Sequence, residues 1–229
     1  MKKRAAFIDA ILSLLPLGQP LFIKTGVFFS TTVLMLTIPE KVNAESAESY
    51  NSKGMKAYDD GDSYAAISFF TKAIKKNPNT AYFNNRGLAK MSIGDNKGAL
   101  IDFQESVNVN PNYDEAFGNL CAVKFDLKDY YGAISDCNKA IKISPKERHF
   151  FNRSNAKRKL EDYYGAIEDV NRGLEIDPKS ARGYLIRSMA KESLKDIKGA
   201  CSDARKSKSF GNNNEVDNQW IKDNCKRRY

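Results

Sequence analysis

The sequence predicts an all-α solenoid: five helix-turn-helix copies in tandem, closed by one further helix. Two series of residues carry that expectation. Alanine recurs at Ala66, Ala99, Ala133, Ala166 and Ala200, with spacings of 33, 34, 33 and 34. Proline recurs at Pro78, Pro111, Pro145 and Pro178, each twelve residues after its alanine. A fixed period near 34 marks stacked helix pairs, each too small to bury its apolar face alone.

The first stretch of the chain stands apart. Residues 1–44 carry Lys2, Lys3, Arg4, Lys24 and Lys41 against Asp9 and Glu40, and Gly26 to Ile38 is a run of 13 residues without charge. That length suits the apolar part of a signal peptide and is short of the ~20 residues that a membrane helix needs. Pro39 stops the run, and Ala44 offers a small residue for cleavage. The segment reads as an export signal cut after Ala44. The competing reading is an uncleaved membrane anchor, because the basic cluster lies far from the apolar run. Either way, residues 45–229 are expected outside the cytoplasm, in a periplasm or a thylakoid lumen, with membrane association through the N-terminus if the anchor stays.

The copies begin near Ala47, Thr80, Asp114, Glu147 and Ala181. In the first helix of each, the fourth position is aromatic (Tyr50, Phe83, Phe117, Phe150, Tyr184) and the eighth is small (Gly54, Gly87, Cys121, Ser154, Ser188). The sixteenth is always aspartate: Asp62, Asp95, Asp129, Asp162 and Asp196. An aspartate just before an apolar run of helical period caps the free N–H groups of the second helix. The second helix carries the invariant alanine, then a small residue at the twenty-seventh position (Ala73, Ser106, Ala140, Gly173, Ser207). Small residues at these places let two antiparallel helices approach closely, and the aromatic fills the wedge between pairs. Proline ends each copy except the fifth, where Asn212 stands instead. From about 215 to 226, Val216, Trp220, Ile221 and Cys225 form one apolar stripe, which suits a terminal capping helix anchored by the sole tryptophan.

Composition narrows the function. There are 37 Lys+Arg against 28 Asp+Glu, a net charge of +9, which falls to +6 once residues 1–44 are set aside. His149 is the only histidine, and the four cysteines have no C-x-x-C spacing, so no metal site is expected. No phosphate-binding glycine loop is present, no cofactor is implied, and no catalytic set can be assembled. The chain reads as a non-enzymatic binding module. Nucleic acid is not an expected partner, since the basic residues are spread over solvated helix faces of an exported chain.

The pattern aromatic-x-x-x-small, then Ala, small and Pro, resembles the tetratricopeptide repeat over residues 47 to about 212. The wording of Asn85-Arg86-Gly87 and Tyr131-Gly132-Ala133-Ile134-Ser135-Asp136 is similar to exported bacterial, notably cyanobacterial, members. The resemblance implies a groove walled by the first helices, with positions two, five, six, nine and twelve facing an extended peptide. Carried over, these are Asn84, Asn85, Met91, Asn119, Phe125, Arg148, Phe151, Asn152, Asn155 and Arg158. Asn85, Asn119 and Asn152 share the sixth position, and such an amide ladder can bind a peptide backbone without reading its sequence. Arg148 and Arg158 suit an acidic partner. The family's carboxylate clamp fits poorly, with Gly118, Ala122, Asn51 and Met55 at its positions. The expected role is a scaffold or adaptor for a protein or peptide. Self-assembly of the array and contact of its basic tail with a membrane surface are the other readings, and the oligomeric state stays open.

Two further pairings follow from the aligned copies. Arg86, Arg153 and Arg187 at the seventh position face Asp102, Asp169 and Asp203 sixteen residues on, which suggests solvent-exposed ion pairs within copies. Cys121 and Cys137 occupy core places and read as two small buried thiols. Cys201 and Cys225 face the cap and form a candidate disulfide.

Overall fold

A helix of 13 or 14 residues is marginal alone in water, and this chain stabilises its helices in pairs. The computed structural model describes residues 45–225. The expected signal or anchor at 1–44 and the basic end at 226–229 lie outside the described residues. Within them the regular structure is all helical: α1 Ala47–Asp59, α2 Ser63–Lys76, α3 Thr80–Ser92, α4 Asn96–Val109, α5 Asp114–Asp126, α6 Tyr130–Ile143, α7 Glu147–Lys159, α8 Tyr163–Ile176, α9 Ala181–Ser193, α10 Ile197–Ser209 and α11 Glu215–Asn224. Each odd helix packs on the even one after it, and α11 packs on α10. No described helix is long and apolar enough to cross a membrane.

One compact turn joins the two helices of every pair. Its left-handed residue is Gly61, Gly94, Lys128, Glu161 or Lys195, with φ between 63° and 84°. The next N–H, that of the recurring aspartate, donates back to the first helix, as from Asp62 to Ala57 O at 2.8 Å and from Asp129 to Lys124 O at 2.9 Å. The same aspartate then accepts from the N–H three residues on, at 2.8 to 2.9 Å in all five copies. A single turn so terminates one helix and caps the next, the cap contributing about 1 kcal/mol. Between pairs, Asn77, Asn110 and Ser144 are extended, as the residue before a proline prefers.

Packing within a pair is set by the small residues. All five alanines at the twentieth position are fully buried. Gly54 and Gly87 lie against the rings of Phe70 and Phe103, and a Cβ on either would stand 2.6 Å from the ring. In the third pair the same two places hold Cys121 and Cys137, whose sulfurs are joined with Cα atoms 5.3 Å apart. The two are fully buried, but as a disulfide and not as free thiols. Serine at these sites is satisfied across the pair, Ser154 and Ser188 donating to Ala166 O and Ala200 O at 2.9 Å.

The ion pairs between the seventh and twenty-third positions form, and they are buried, not solvent-exposed. Arg86, Arg153 and Arg187 each grip their aspartate with two parallel N–H bonds of 2.5 to 2.9 Å. The side chains of Asp102, Asp169 and Asp203 are only 1–3% exposed. A lysine from the same first helix, Lys90, Lys157 or Lys191, completes each site at 2.7 to 3.0 Å. Burial works to raise the Asp203 carboxyl, but the bonds from Arg187 and Lys191 outweigh it and hold it below its usual value. The arginines also reach the preceding pair, through Thr71, Asn138 and Asn171. In the third pair Leu120 replaces arginine, and Asp136 is held by Lys124 at 2.5 Å and Lys139 at 3.1 Å.

The end of the array is fastened by α11. Cys225 is joined to Cys201, and Trp220 Nε1 donates to Glu192 Oε1 at 2.8 Å. Trp220 and Ile221 are half-buried, whereas Val216, expected in the apolar stripe, is 76% exposed.

Candidate functional site

The direction of curvature follows from which helices meet. Consecutive first helices touch, α1 with α3, α3 with α5, α5 with α7 and α7 with α9; among the described residues, consecutive second helices do not. The odd helices therefore form the inner wall, and their outward-facing stripe is the candidate binding face.

On that wall the amides at the sixth position are tied to the copy before. Asn85 Nδ2 donates to Asn51 Oδ1 at 3.1 Å, and Asn119 Nδ2 donates to Asn84 Oδ1 at 2.8 Å. Asn152 Nδ2 donates to Gly118 O at 3.5 Å and its Oδ1 accepts from Arg182 Nη2 at 2.8 Å. Each amide is half-buried and spends part of its capacity on this bridge. The Oδ1 of Asn85 and of Asn119 makes no bond within the array. Position five behaves differently from what the resemblance implies. Asn84 is 3% exposed and Phe151 is buried, so both belong to the interior, and Asn84 supports Asn119 instead of facing a partner.

Farther along, α7 presents Arg148, Asn152, Asn155 and Arg158. Arg148 lies 3.6 Å from Glu115, so its charge is partly met within the array. Glu115 also accepts from the Tyr113 hydroxyl at 2.9 Å, and burial together with that carboxylate pushes the phenol up to about 12. Arg158 has no carboxylate within 4 Å among the described residues, and its Nε is buried without a partner. A cavity of about 200 Å³ opens between α5, α7 and α9, bringing Asn152 and Asn155 together with Ala122, Phe125, Asp126 and Arg182. Beneath the wall, the fully buried His149 has the partner that its sequence context did not reveal: Nε2 is 3.0 Å from Asp114 Oδ2, which also holds Lys146 at 2.8 Å. The ring fits because Gly118 has no side chain, a Cβ there standing 2.6 Å from Cε1. Burial lowers the His149 pKa. Its second nitrogen is unpartnered among the described residues, and the ring ties α5 to α7.

A family model for the tetratricopeptide repeat matches residues 150–180, spanning α7 and α8. The copy at 150–180 is a tetratricopeptide repeat. Among solved structures, MamA is 22% identical with a TM-score of 0.62, covering 72% of this chain and 91% of its own. A chain of the Cut9–Hcn1 hetero-tetramer of the APC/C is 20% identical with a TM-score of 0.70, covering 77% of this chain and 36% of its own. The pilF protein of Pseudomonas aeruginosa is 14% identical with a TM-score of 0.68, covering 75% of this chain and 79% of its own. At these identities the likeness is one of fold. None of the curated proteins matches this chain in sequence.

Two residues of the inner wall escape reading from the sequence. Arg182 occupies the second position of the fifth copy, the place Arg148 holds in the fourth, so the period itself was the available signal. Asp126 stands one residue beyond the twelfth position, at the end of α5, and no pattern marks it.

Proposed function

We propose that this tetratricopeptide-repeat chain is a non-enzymatic scaffold or adaptor that holds an extended, acidic segment of a protein partner against its inner wall. The observation that carries the reading is the row of amides. Asn85, Asn119 and Asn152 are fixed in place by bonds to the preceding copy, yet the first two keep an unbonded acceptor for a peptide backbone. Groups already ordered lose less entropy on binding. Arg158 and Arg182, without a carboxylate partner among the described residues, supply the preference for acid. A place outside the cytoplasm, exported or membrane-anchored, suits a chain with two joined cysteine pairs, because disulfides persist in oxidising compartments.

The test is co-purification from the native cell, with mass spectrometry of what is retained. The wild-type chain should hold a partner that Asn85→Ala/Asn119→Ala/Asn152→Ala loses, while circular dichroism shows the variant still helical. A folded triple variant that keeps every partner would sink the mechanism.

A further inference from the structure

The amide row reads no side chains, but the cavity at the α5–α7–α9 junction is built differently. The third copy has Ala122 where the second has Leu88, so no long side chain from that position fills the space. Ala122 and the Phe125 ring supply apolar lining, and Phe125 is braced from behind by Tyr130, their centroids 5.5 Å apart. Of the polar lining, Asn152 is committed to Gly118 and Arg182, and the rest keeps free groups. Asn155 makes no hydrogen bond within the array. Arg182 gives one N–H to Asn152 and has four others free of any described carboxylate. Asp126, at the rim, has no cationic partner within 4 Å among the described residues, and burial raises its carboxyl pKa.

These features select one kind of occupant. About 200 Å³ has the bulk of a single large side chain. A planar ring would stack offset on Phe125 and meet the Arg182 guanidinium, an attractive arrangement for an aromatic quadrupole. A phenol O–H or indole N–H would donate to Asn155 Oδ1 or Asp126. An aliphatic side chain would leave those groups facing it unpaired, which is costly. Charge decides the neighbours: Arg182 lines the opening, and Arg158 stands one helical turn beyond Asn155 on α7, against one aspartate. We propose that the cavity takes one aromatic side chain of the bound segment, and that the residues flanking it in that segment are acidic. This rests on the groove reading above and adds the partner's anchor to it.

The probe is fluorescein-labelled Glu-Glu-Trp-Glu-Glu, amidated at its C-terminus, titrated with the full chain and followed by fluorescence anisotropy. Parallel peptides carry Ala for Trp, or Lys for every Glu. The Trp peptide should bind at least tenfold more tightly than either. Ala122→Leu, which fills the cavity, and Phe125→Ala, which removes its wall, should each erase the Trp-over-Ala preference. Arg182→Gln should erase most of the Glu-over-Lys preference. Circular dichroism keeps the comparison to folded variants, and Ala122→Leu removes nothing from the core if Phe125→Ala fails to fold. Equal binding of the Trp and Ala peptides overturns the anchor, as does binding of none of them at millimolar protein. A preference for Trp that survives Ala122→Leu places the ring elsewhere and overturns it too. These failures leave the groove reading intact, because that one falls only if the triple asparagine variant keeps its native partner.

Discussion

In the second helix pair Gly87 lies under the Phe103 ring, and Arg86 clamps Asp102. In the third pair those four places hold Cys121 joined to Cys137, and Leu120 beside an Asp136 that two lysines hold. The backbone turn, the capping aspartate and the buried alanine are the same in both. One contact has changed at both partners, Gly87 and Phe103 giving way to Cys121 and Cys137; in the other, leucine replaces the arginine, the aspartate stays, and lysines take over its charge. The unit of design in this array is the contact across the two helices, not the residue, and the fourth pair supplies the tests. There Ser154 and Val170 replace the glycine and phenylalanine, while Arg153 keeps its clamp on Asp169.

The largest effect should come from giving the fourth pair half of the third pair's arrangement. Arg153→Leu leaves Asp169 buried with Lys157 alone, and breaking a buried pair on one side costs about 3–5 kcal/mol. Urea unfolding should show that loss. Arg153→Leu/Asp169→Leu should recover most of it, because an apolar pair of suitable volume is tolerated where an unpartnered charge is not. If the double variant is no better than the single, the clamp is not what holds the two helices together.

Next in size is the third pair's own bridge. Cys121→Ala/Cys137→Ala opens a link spanning 16 residues, and a loop of that order contributes about 3 kcal/mol through the unfolded chain. Cys121→Gly/Cys137→Phe rewrites the contact as the second pair has it. It should be more stable than the alanine variant, by the ring's burial of about 1.5–3 kcal/mol, under the same urea titration. Equal midpoints for the two variants would show that the third pair has lost the shape its neighbours share.

The smallest effect concerns pH, at the joint between the third and fourth copies. Burial lowers the His149 pKa below its ordinary 6.5, so on acidification the unfolded chain takes up the proton first. The stability contributed by neutral His149 is therefore complete above that ordinary value, and it is lost as the pH falls through it toward the folded value. A tenfold difference in proton affinity between the folded and unfolded chain corresponds to about 1.4 kcal/mol. Thermal midpoints between pH 7 and pH 5 should fall for the wild-type chain and be flatter for His149→Gln. Asp114 titrates in a separate, lower window: burial raises its carboxyl, but bonds from Lys146 and His149 outweigh that and hold it below its usual range.

The fold was legible because it is written several times over. A residue such as Asp129 means little once, but five aspartates at one period, each before an apolar run, specify a capped second helix. The clamp was half legible: the pairing of Arg86 with Asp102 followed from the fixed sixteen-residue offset in the aligned copies, whereas its burial did not, since depth depends on the neighbouring copy. The inner wall was the least legible. Asn84 and Asn85 are adjacent in sequence and both polar, yet one is interior and the other faces outward, a distinction set by helix rotation and not by residue type. His149 had no visible partner because Asp114 lies 35 residues away, one full copy back.

The bridges between amides of successive copies give the inner wall a mechanical character. A hydrogen bond placed on the inside of a curve acts as a tendon: the array cannot straighten without stretching it. Such tendons run from Asn51 through Asn85, and from Asn84 through Asn119, in the first three copies. At the fifth copy Ile186 takes the amide's place, and the tie to the fourth is made instead by the longer side chain of Arg182, which donates to Asn152. A guanidinium on a long, rotamer-rich stem can follow a moving acceptor farther than a short amide can, so the joint between the fourth and fifth copies is the more compliant one and those among the first three are the stiffer springs.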